Sequence, residues 1–284
     1  MLRGKIGSLQ EKSVVEFIVI VESGADARTA TKLAERILVE KVDWLEDENL
    51  QYCLQWSGLQ NGTQHSCWSD VKKIIDIAKE QLKYKPARFL GHDSKGVPLK
   101  ADGAASIKVL NLVRFLQRTR QIRAVLLIRD LDNQLEQRRE GLEQARSEHI
   151  NRQPQLEIVI GAANPKREAW VLNGFVPSNQ GEEQILQEIK TLLHFDPCTE
   201  SHKLRSTSRE EPDRIRNPKV VVEQLTGRNM EREQQCWENT SLELLRERGI
   251  HTGLTDYICE VEQRFIKIIL SDGDNTHTAT RPEP

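Results

Sequence analysis

The segment Val14-Val15-Glu16-Phe17-Ile18-Val19-Ile20-Val21-Glu22-Ser23-Gly24-Ala25-Asp26 runs from a nearly unbroken apolar stretch into a carboxylate, a glycine turn and a second acid. β-Branched residues dominate Val14–Val21, the pattern of a strand covered on both faces. Beyond the turn, Ala30, Leu33, Ala34, Ile37 and Leu38 repeat at helical spacing and form one apolar helix face. Strand and helix in direct succession open an α/β sheet. A carboxylate at the C-terminal end of such a strand stands where open α/β sheets place their ligands.

The same rhythm continues outward from this unit. Leu50–Trp56 predicts a weaker strand, and Val71, Ile74, Ile75, Ala78 and Leu82 a second amphipathic helix. Ala87–Gly91 predicts a short strand leading into the polar loop His92–Gly103. Ala105, Val109, Leu112, Val113 and Leu116 mark another helix, and Arg123–Arg129 is the strongest central strand. A polar helix over Leu135–His149, a strand over Leu156–Gly161 and a helix Lys166–Leu172 opened by Pro165 complete the unit. Such alternation predicts a mostly parallel sheet with helices on both faces.

This α/β domain is expected over residues 1–175, ending near Phe175. A helical C-terminal region is expected over 176–270, with helices Glu182–Leu193, Pro218–Leu225, Glu231–Arg248 and Leu254–Leu270. Residues 196–217, rich in Pro, Ser, Arg and Glu, are expected to be an irregular linker. The stretch 271–284 is expected to be a disordered tail.

Composition narrows the class. Of 284 residues, 37% are hydrophobic and 30% charged, which suits a helix-rich soluble chain with many solvated helix faces. The net charge of −2 gives no global basic field, so contact with nucleic acid would need a local patch. Five scattered cysteines without a C-x-x-C pair suggest ordinary thiols of a reducing compartment. Glu16 interrupts the only early apolar stretch, so no secretory signal is expected, and no run has the length of a membrane span. The expectation is a cytoplasmic protein without a membrane partner.

A second acidic cluster, Asp130-Leu131-Asp132, follows the central strand. In extended backbone, residues i and i+2 point the same way, so Asp130 and Asp132 face one ligand if the strand persists through them. Hard oxygen donors of this kind suit Mg²⁺ or Mn²⁺. Glu22 from a neighbouring strand end would complete the site. Taken singly, Asp26 or Asp132 is explained more simply as a helix N-cap. Glu22 is not, because Ser23 and Asp26 are available for that duty.

Nine arginines stand against six acids between Arg114 and Arg152. Arg129, Arg138 and Arg139 flank the second cluster, and Lys166 and Arg167 precede Glu168, a surplus that suits a phosphate backbone. Solvated helix faces with Glu136–Arg139 and Arg139–Glu143 pairs explain the same residues as well. The sequence has no P-loop, no G-x-G-x-x-G after a strand and no G-x-S-x-G elbow, which argues against an ATPase, a dinucleotide fold and an α/β-hydrolase.

Val19-Ile20-Val21-Glu22-Ser23-Gly24-Ala25-Asp26, with Leu126–Asp132 later in the chain, resembles the toprim domain shared by topoisomerases, bacterial primases and the overcoming-lysogenisation-defect nucleases. Ile160–Leu172, with Glu168-Ala169-Trp170-Val171-Leu172, is similar to a signature of bacterial toprim-like proteins of unknown function, several of them from phage-defence loci. The resemblance covers about residues 14–175 and departs from many toprim sequences in placing Ser23 between the glutamate and the glycine. It implies Glu22 as general acid/base or metal ligand, Asp130 and Asp132 as Mg²⁺ ligands, and Glu168 as a further ligand. The implied activity is a metal-dependent nuclease acting on DNA or RNA. A non-catalytic adaptor for nucleic acid or a separate ATPase subunit, and a phosphoryl-transfer enzyme acting on a small substrate, remain open beside it.

Overall fold

The structure, a computed structural model, describes residues 14–88 and 91–277, with side chains as far as Ser271. Five parallel strands form one sheet: β1 (Val15–Val21), β2 (Leu54–Ser57), β3 (Ser66–Cys67), β4 (Ile122–Asp130) and β5 (Glu157–Ala163). Their order is β2-β1-β4-β5, and β3 extends the β2 edge by pairing Ile20 and Val21 with Ser66 and Cys67.

Alternation along the strands divides the core into two layers. Phe17, Val19 and Val21 of β1, with Ala124, Leu126 and Ile128 of β4, face one layer. Ile18 and Ile20, with Val125 and Leu127, face the other. Because both faces are apolar, each strand needs a cover on each side, and helices supply it. α1 (Gly24–Lys41) lies on the first face. The second face is covered by α3 (Val71–Gln81), α4 (Gly103–Leu116) and α5 (Leu135–Ser147), whose buried residues belong to the second layer. The short α2 (Leu50–Cys53) immediately precedes β2.

This winding creates a switch point. From β1 the chain passes through α1 on one face to β2, then returns by way of α3 and α4 on the other face to β4 on the opposite side of β1. Connections therefore diverge between β1 and β4, opening a crevice at their C-terminal ends. Glu22 and Asp130 stand at those two ends.

Residues 176–270 share the first core layer with the sheet. α6 (Arg167–Asn173) leads to α7 (Gln180–Leu193), α8 (Pro218–Leu225), α9 (Met230–Glu238), α10 (Leu242–Arg248) and α11 (Leu254–His277). Phe265 of α11 meets Phe17 of β1 at 4.6 Å between ring centroids, and Tyr257 stacks on Trp170 at 5.1 Å. The Tyr257 hydroxyl donates to the Ala30 carbonyl at 2.7 Å. Gly161 permits this stack, because a Cβ there would lie 3.1 Å from both Trp170 and Tyr257 and 2.3 Å from Ile128. Burying side chains of this size stabilises by about 1.5–3 kcal/mol each, so these helices contribute directly to the stability of the sheet.

Several local expectations change. The strand expected over Leu50–Trp56 begins with the helical turn α2 and pairs only from Leu54. Of the strand expected over Ala87–Gly91, Phe89 and Leu90 lie outside the described residues, and residues 83–88 are irregular. The single helix expected over Glu231–Arg248 is two, because Ser241 accepts the Leu244 N–H at 3.3 Å and caps a new start. Pro165 precedes α6 rather than opening it, leaving Lys166 as N-cap. The tail expected from Ser271 is helical as far as His277, and residues 278–284 lie outside the described residues. Among the described residues, no helix is long and apolar enough to cross a membrane.

Candidate functional site

At the switch point lies a cleft of about 450 Å³. Glu22, Asp26, Asp130 and Glu168 line it from the sheet side, together with Lys166 and Arg167. Thr207, Arg209, Asn217 and Lys219 line it from the irregular connection and the start of α8.

Each acid is placed by a backbone transition. Glu22 directly follows β1, and its carboxylate meets Arg129 Nη1 at 2.7 Å. Burial raises its pKa, with Asp26 and Asp102 adding to the effect and Arg129 and Arg138 opposing it. Ser23 occupies the N-cap position of α1, yet its hydroxyl donates to Asp26 Oδ2 at 2.7 Å and caps no backbone N–H. Asp26 is only 4% exposed and sits 3.5 Å from Arg167 Nε. It is therefore a site residue in the first helical turn and not the N-cap that its position in the sequence suggests.

Asp130 is the last residue of β4, and its Oδ1 accepts the Arg167 N–H at 3.0 Å. Its pKa is pushed up to about 8: burial is the main cause, Asp26, Glu168 and Glu22 add to it, and the Arg167 N–H opposes it. Glu168, 6% exposed on the first turn of α6, lies 3.7 Å from Arg167 Nη2 and 4.0 Å from Lys219 Nζ. Arg167 also meets Glu233 at 2.8 Å. Burial works against its charge, but Glu168, Glu233 and Asp26 outweigh burial and hold its pKa above the ordinary value.

Asp132 does not share the cleft. The strand ends at Asp130, and Asp132 adopts φ +47°, its N–H donating to the Pro165 carbonyl at 2.9 Å. The two-residue alternation is lost at that turn, and the carboxylate pairs with Arg138 at 2.8 Å and Lys166 at 3.3 Å. The expectation of a joint Asp130–Asp132 ligand pair is corrected accordingly.

The basic residues are also redistributed. Arg129 is held by Glu22 and, through two hydrogen bonds of 2.9 and 3.0 Å, by Asp102. Arg138 donates to the Asp130 carbonyl at 2.6 Å and to Asp132. Arg139 pairs with Asp256 of α11 at 2.6 Å and does not line the cleft. Of the basic residues expected to touch phosphate, Lys166 and Arg167 line the cleft, while Arg129 and Arg138 brace its acids from behind.

Asp102, Thr207, Arg209 and Asn217 are site residues, or direct supports of them, that the sequence left among loops and a linker. Lys219, at the start of the expected helix Pro218–Leu225, reads first as an ordinary surface lysine and only second as a phosphate contact. Their only signal was local: Asp102 precedes the first residue of α4, and Asn217-Pro218 opens α8.

The donors fit a hard dication by type, since all are carboxylate oxygens, although Asp130, whose pKa is raised first by burial and then by its anionic neighbours, must lose its proton to act as one. Among the described residues, however, no three of His, Cys, Asp and Glu stand close enough together to enclose an ion. Arginines fill part of that space, with Arg129 on Glu22 and Arg167 beside Asp26 and Glu168. No family model, curated protein or solved structure matches the chain.

Proposed function

We propose that this protein is a Mg²⁺- or Mn²⁺-dependent phosphodiester-processing enzyme, with nuclease activity as the leading form. The observation that carries this reading is the meeting of Glu22, Asp130 and Glu168, from three separate chain segments, in one cleft at the switch point. All three lie in the segments that carry the toprim resemblance. A DNA or RNA substrate, a separate ATPase subunit and a setting in phage or mobile-element defence belong to the same proposal and rest on that resemblance.

Glu22 and Asp130 would hold the cation, with Asp26 and Glu168 near it and water completing the shell. When bound, such an ion neutralises charge on a phosphoryl oxygen and lowers the pKa of coordinated water. Lys166 and Arg167 would orient the phosphate on the sheet side. The pKa of Glu22, raised by burial, favours a role in holding and returning a proton.

The test is cleavage of single- and double-stranded nucleic acid with Mn²⁺. The expected result is activity in the native chain that disappears in Glu22→Gln and Asp130→Asn while circular dichroism shows a retained fold. Cleavage surviving in both variants would remove the catalytic assignment.

A second reading is favoured by one observation, the Arg129–Glu22 ion pair at 2.7 Å, which neutralises a would-be ligand without metal. On that reading the protein is a non-catalytic adaptor. Binding of nucleic acid or a partner would then persist in both variants, with no cleavage under any metal.

A further inference from the structure

The second face of the sheet carries a basic surface away from the cleft. There α3 buries Val71, Ile74, Ile75 and Ala78 and leaves Lys72, Lys73, Asp76, Lys79 and Glu80 exposed. Lys83 leaves the helix at φ +56°, and the buried Tyr84 ties the segment back to the fold. Its N–H donates to the Ala78 carbonyl at 3.1 Å, and its ring lies 5.1 Å from that of Phe115 near the end of α4. Lys83 and Lys85, both exposed, flank this anchor, and Arg88 follows. The guanidinium of Arg118, also exposed, lies 5.3 Å from the same Phe115 ring, which brings it to the same surface.

We infer that this surface, from α3 through Arg88 with Arg118 beside it, takes the phosphate backbone of a nucleic-acid duplex without reading its sequence. The inference uses neither the cleft nor a cation there, and it holds equally for a nuclease and for an adaptor.

Charge is the first observation that carries it. Residues 72–88 hold six basic side chains against two acids, in a chain whose net charge is −2. Lys79 pairs with Asp76 at 2.8 Å, and Lys72 adds its attraction to the same carboxylate. Among the described residues, Lys73, Lys83, Lys85, Arg88 and Arg118 make no ion pair. Residues 103–123, which are α4 and the turn after it, contain no Asp or Glu to offset them. By contrast Arg129, Arg138 and Arg139 are each held by an acid. Length is the second observation. The 11 residues of α3 rise about 16 Å, and the segment to Arg88 adds to that surface. Phosphates on one duplex strand advance about 3.4 Å each along the axis, so the surface matches several in succession and exceeds any single phosphate ester. Side-chain chemistry is the third. Five of the seven basic groups are lysines, point charges suited to contact along a backbone rather than to a bidentate fork on one group. Among the described residues, the rings at this surface are Tyr84, which is buried, and Phe115 beneath Arg118, so a single strand finds no platform for its bases. A membrane anchor needs an apolar face to insert, and that of α3 is spent on the core, with Leu82 exposed beyond its end.

Fluorescence anisotropy of labelled duplexes with the full chain in EDTA tests this, since chelation removes cleavage from the readout. The probes are two duplexes of unrelated sequence, and the competitors are a single strand, phosphatidylserine-containing vesicles and polyglutamate. Both duplexes are expected to bind equally at low salt, with affinity falling at a log–log slope of about −4 for four to five phosphate contacts. Lys73→Gln, Lys85→Gln and Arg88→Gln combined should weaken binding by about tenfold or more and flatten the slope by about 0.9 for each charge removed. The melting temperature should not change, because all three side chains are exposed. Lys95→Gln, at an exposed lysine of another loop, should leave duplex affinity as it was. Absence of duplex binding at low salt, unchanged affinity and slope in the triple variant, or a consistent preference for one sequence would overturn the inference. Stronger competition by the single strand, the vesicles or polyglutamate than by unlabelled duplex would overturn it as well. Failure of the catalytic reading is a different result: duplex binding that depends on these three residues, with no Mn²⁺ binding and no cleavage.

Discussion

The two ends of strands β1 and β4 carry charge in opposite ways. At the N-terminal end, Glu16 faces Arg120, whose guanidinium also donates to the Leu59 and Gly58 carbonyls at 3.1 and 3.0 Å. One acid meets one base, and the surplus donors are taken up by backbone. At the C-terminal end, Asp130 lies among Glu22, Asp26 and Glu168, and its proton is retained up to about pH 8. The same two strands thus end in a satisfied ion pair on one side and in four acids on the other. Of these, Asp130 has no basic side-chain partner among the described residues, while Arg129 and Arg167 offset the rest. Matched charge of the first kind specifies a fold, while crowded like charge is costly unless a ligand relieves it. That asymmetry is the physical reason for placing function at the C-terminal end.

The largest expected effect comes from breaking the satisfied end. Arg120→Ala strands Glu16 and two carbonyls in a poorly hydrated position and should cost about 2–3 kcal/mol in urea unfolding, with cation binding unchanged. A cost below about 0.5 kcal/mol would mean that the N-terminal pair is not structural, and the contrast between the two ends would fall with it.

At the crowded end the sign reverses. The folded chain binds the Asp130 proton more tightly than the unfolded chain does, with a pKa of about 8 against 3.8. This contribution to stability is fully present below about pH 4, is lost as pH rises toward 8, and then stays lost. Asp130→Asn keeps an oxygen for the Arg167 N–H and removes the charge. It should stabilise by about 1–2 kcal/mol at pH 8.5, once the water in the open cleft is allowed for, and by almost nothing at pH 4. Unfolding curves at the two pH values check this, and a variant destabilised equally at both would contradict it.

The smallest effect is expected at Arg139. Its pair with Asp256 is largely exposed, at 41% and 56%, so Arg139→Ala should change stability by less than about 0.5 kcal/mol. Duplex affinity should be unaffected. A marked loss of nucleic-acid binding would extend the ligand surface to α5 and restore the backbone-tracking role that the sequence suggested.

What the sequence made legible follows the same division. β1, β4 and β5 are short apolar runs buried on both faces, and their positions and parallel order follow from hydrophobic pattern and winding. Glu22, Asp130 and Glu168 were legible because each stands where a strand ends or a helix begins. Asp132 does not face the same ligand position as Asp130, because extended backbone stops at Asp130 and a left-handed turn intervenes. Asp102 and Arg209 were not legible as site residues, since they reach the site through tertiary packing of a polar loop and an irregular connection, and Lys219, at a helix start after proline, was legible only as the lesser of two readings. Of the shared core of 176–270, only the packing of the helix Glu182–Leu193 on the α/β domain was expected. An amphipathic helix such as α11 shows that it has an apolar face and not what that face covers.

The most direct measurement is calorimetric titration of Mn²⁺ into the native chain and into Asp130→Asn at pH 7, in two buffers of different ionisation enthalpy. Because Asp130 is protonated in the folded chain at that pH, saturable binding with release of about one proton per cation is expected, together with loss of binding in the variant. Absence of Mn²⁺ binding, or the same affinity and proton count in Asp130→Asn, would contradict a cation site built on the strand ends.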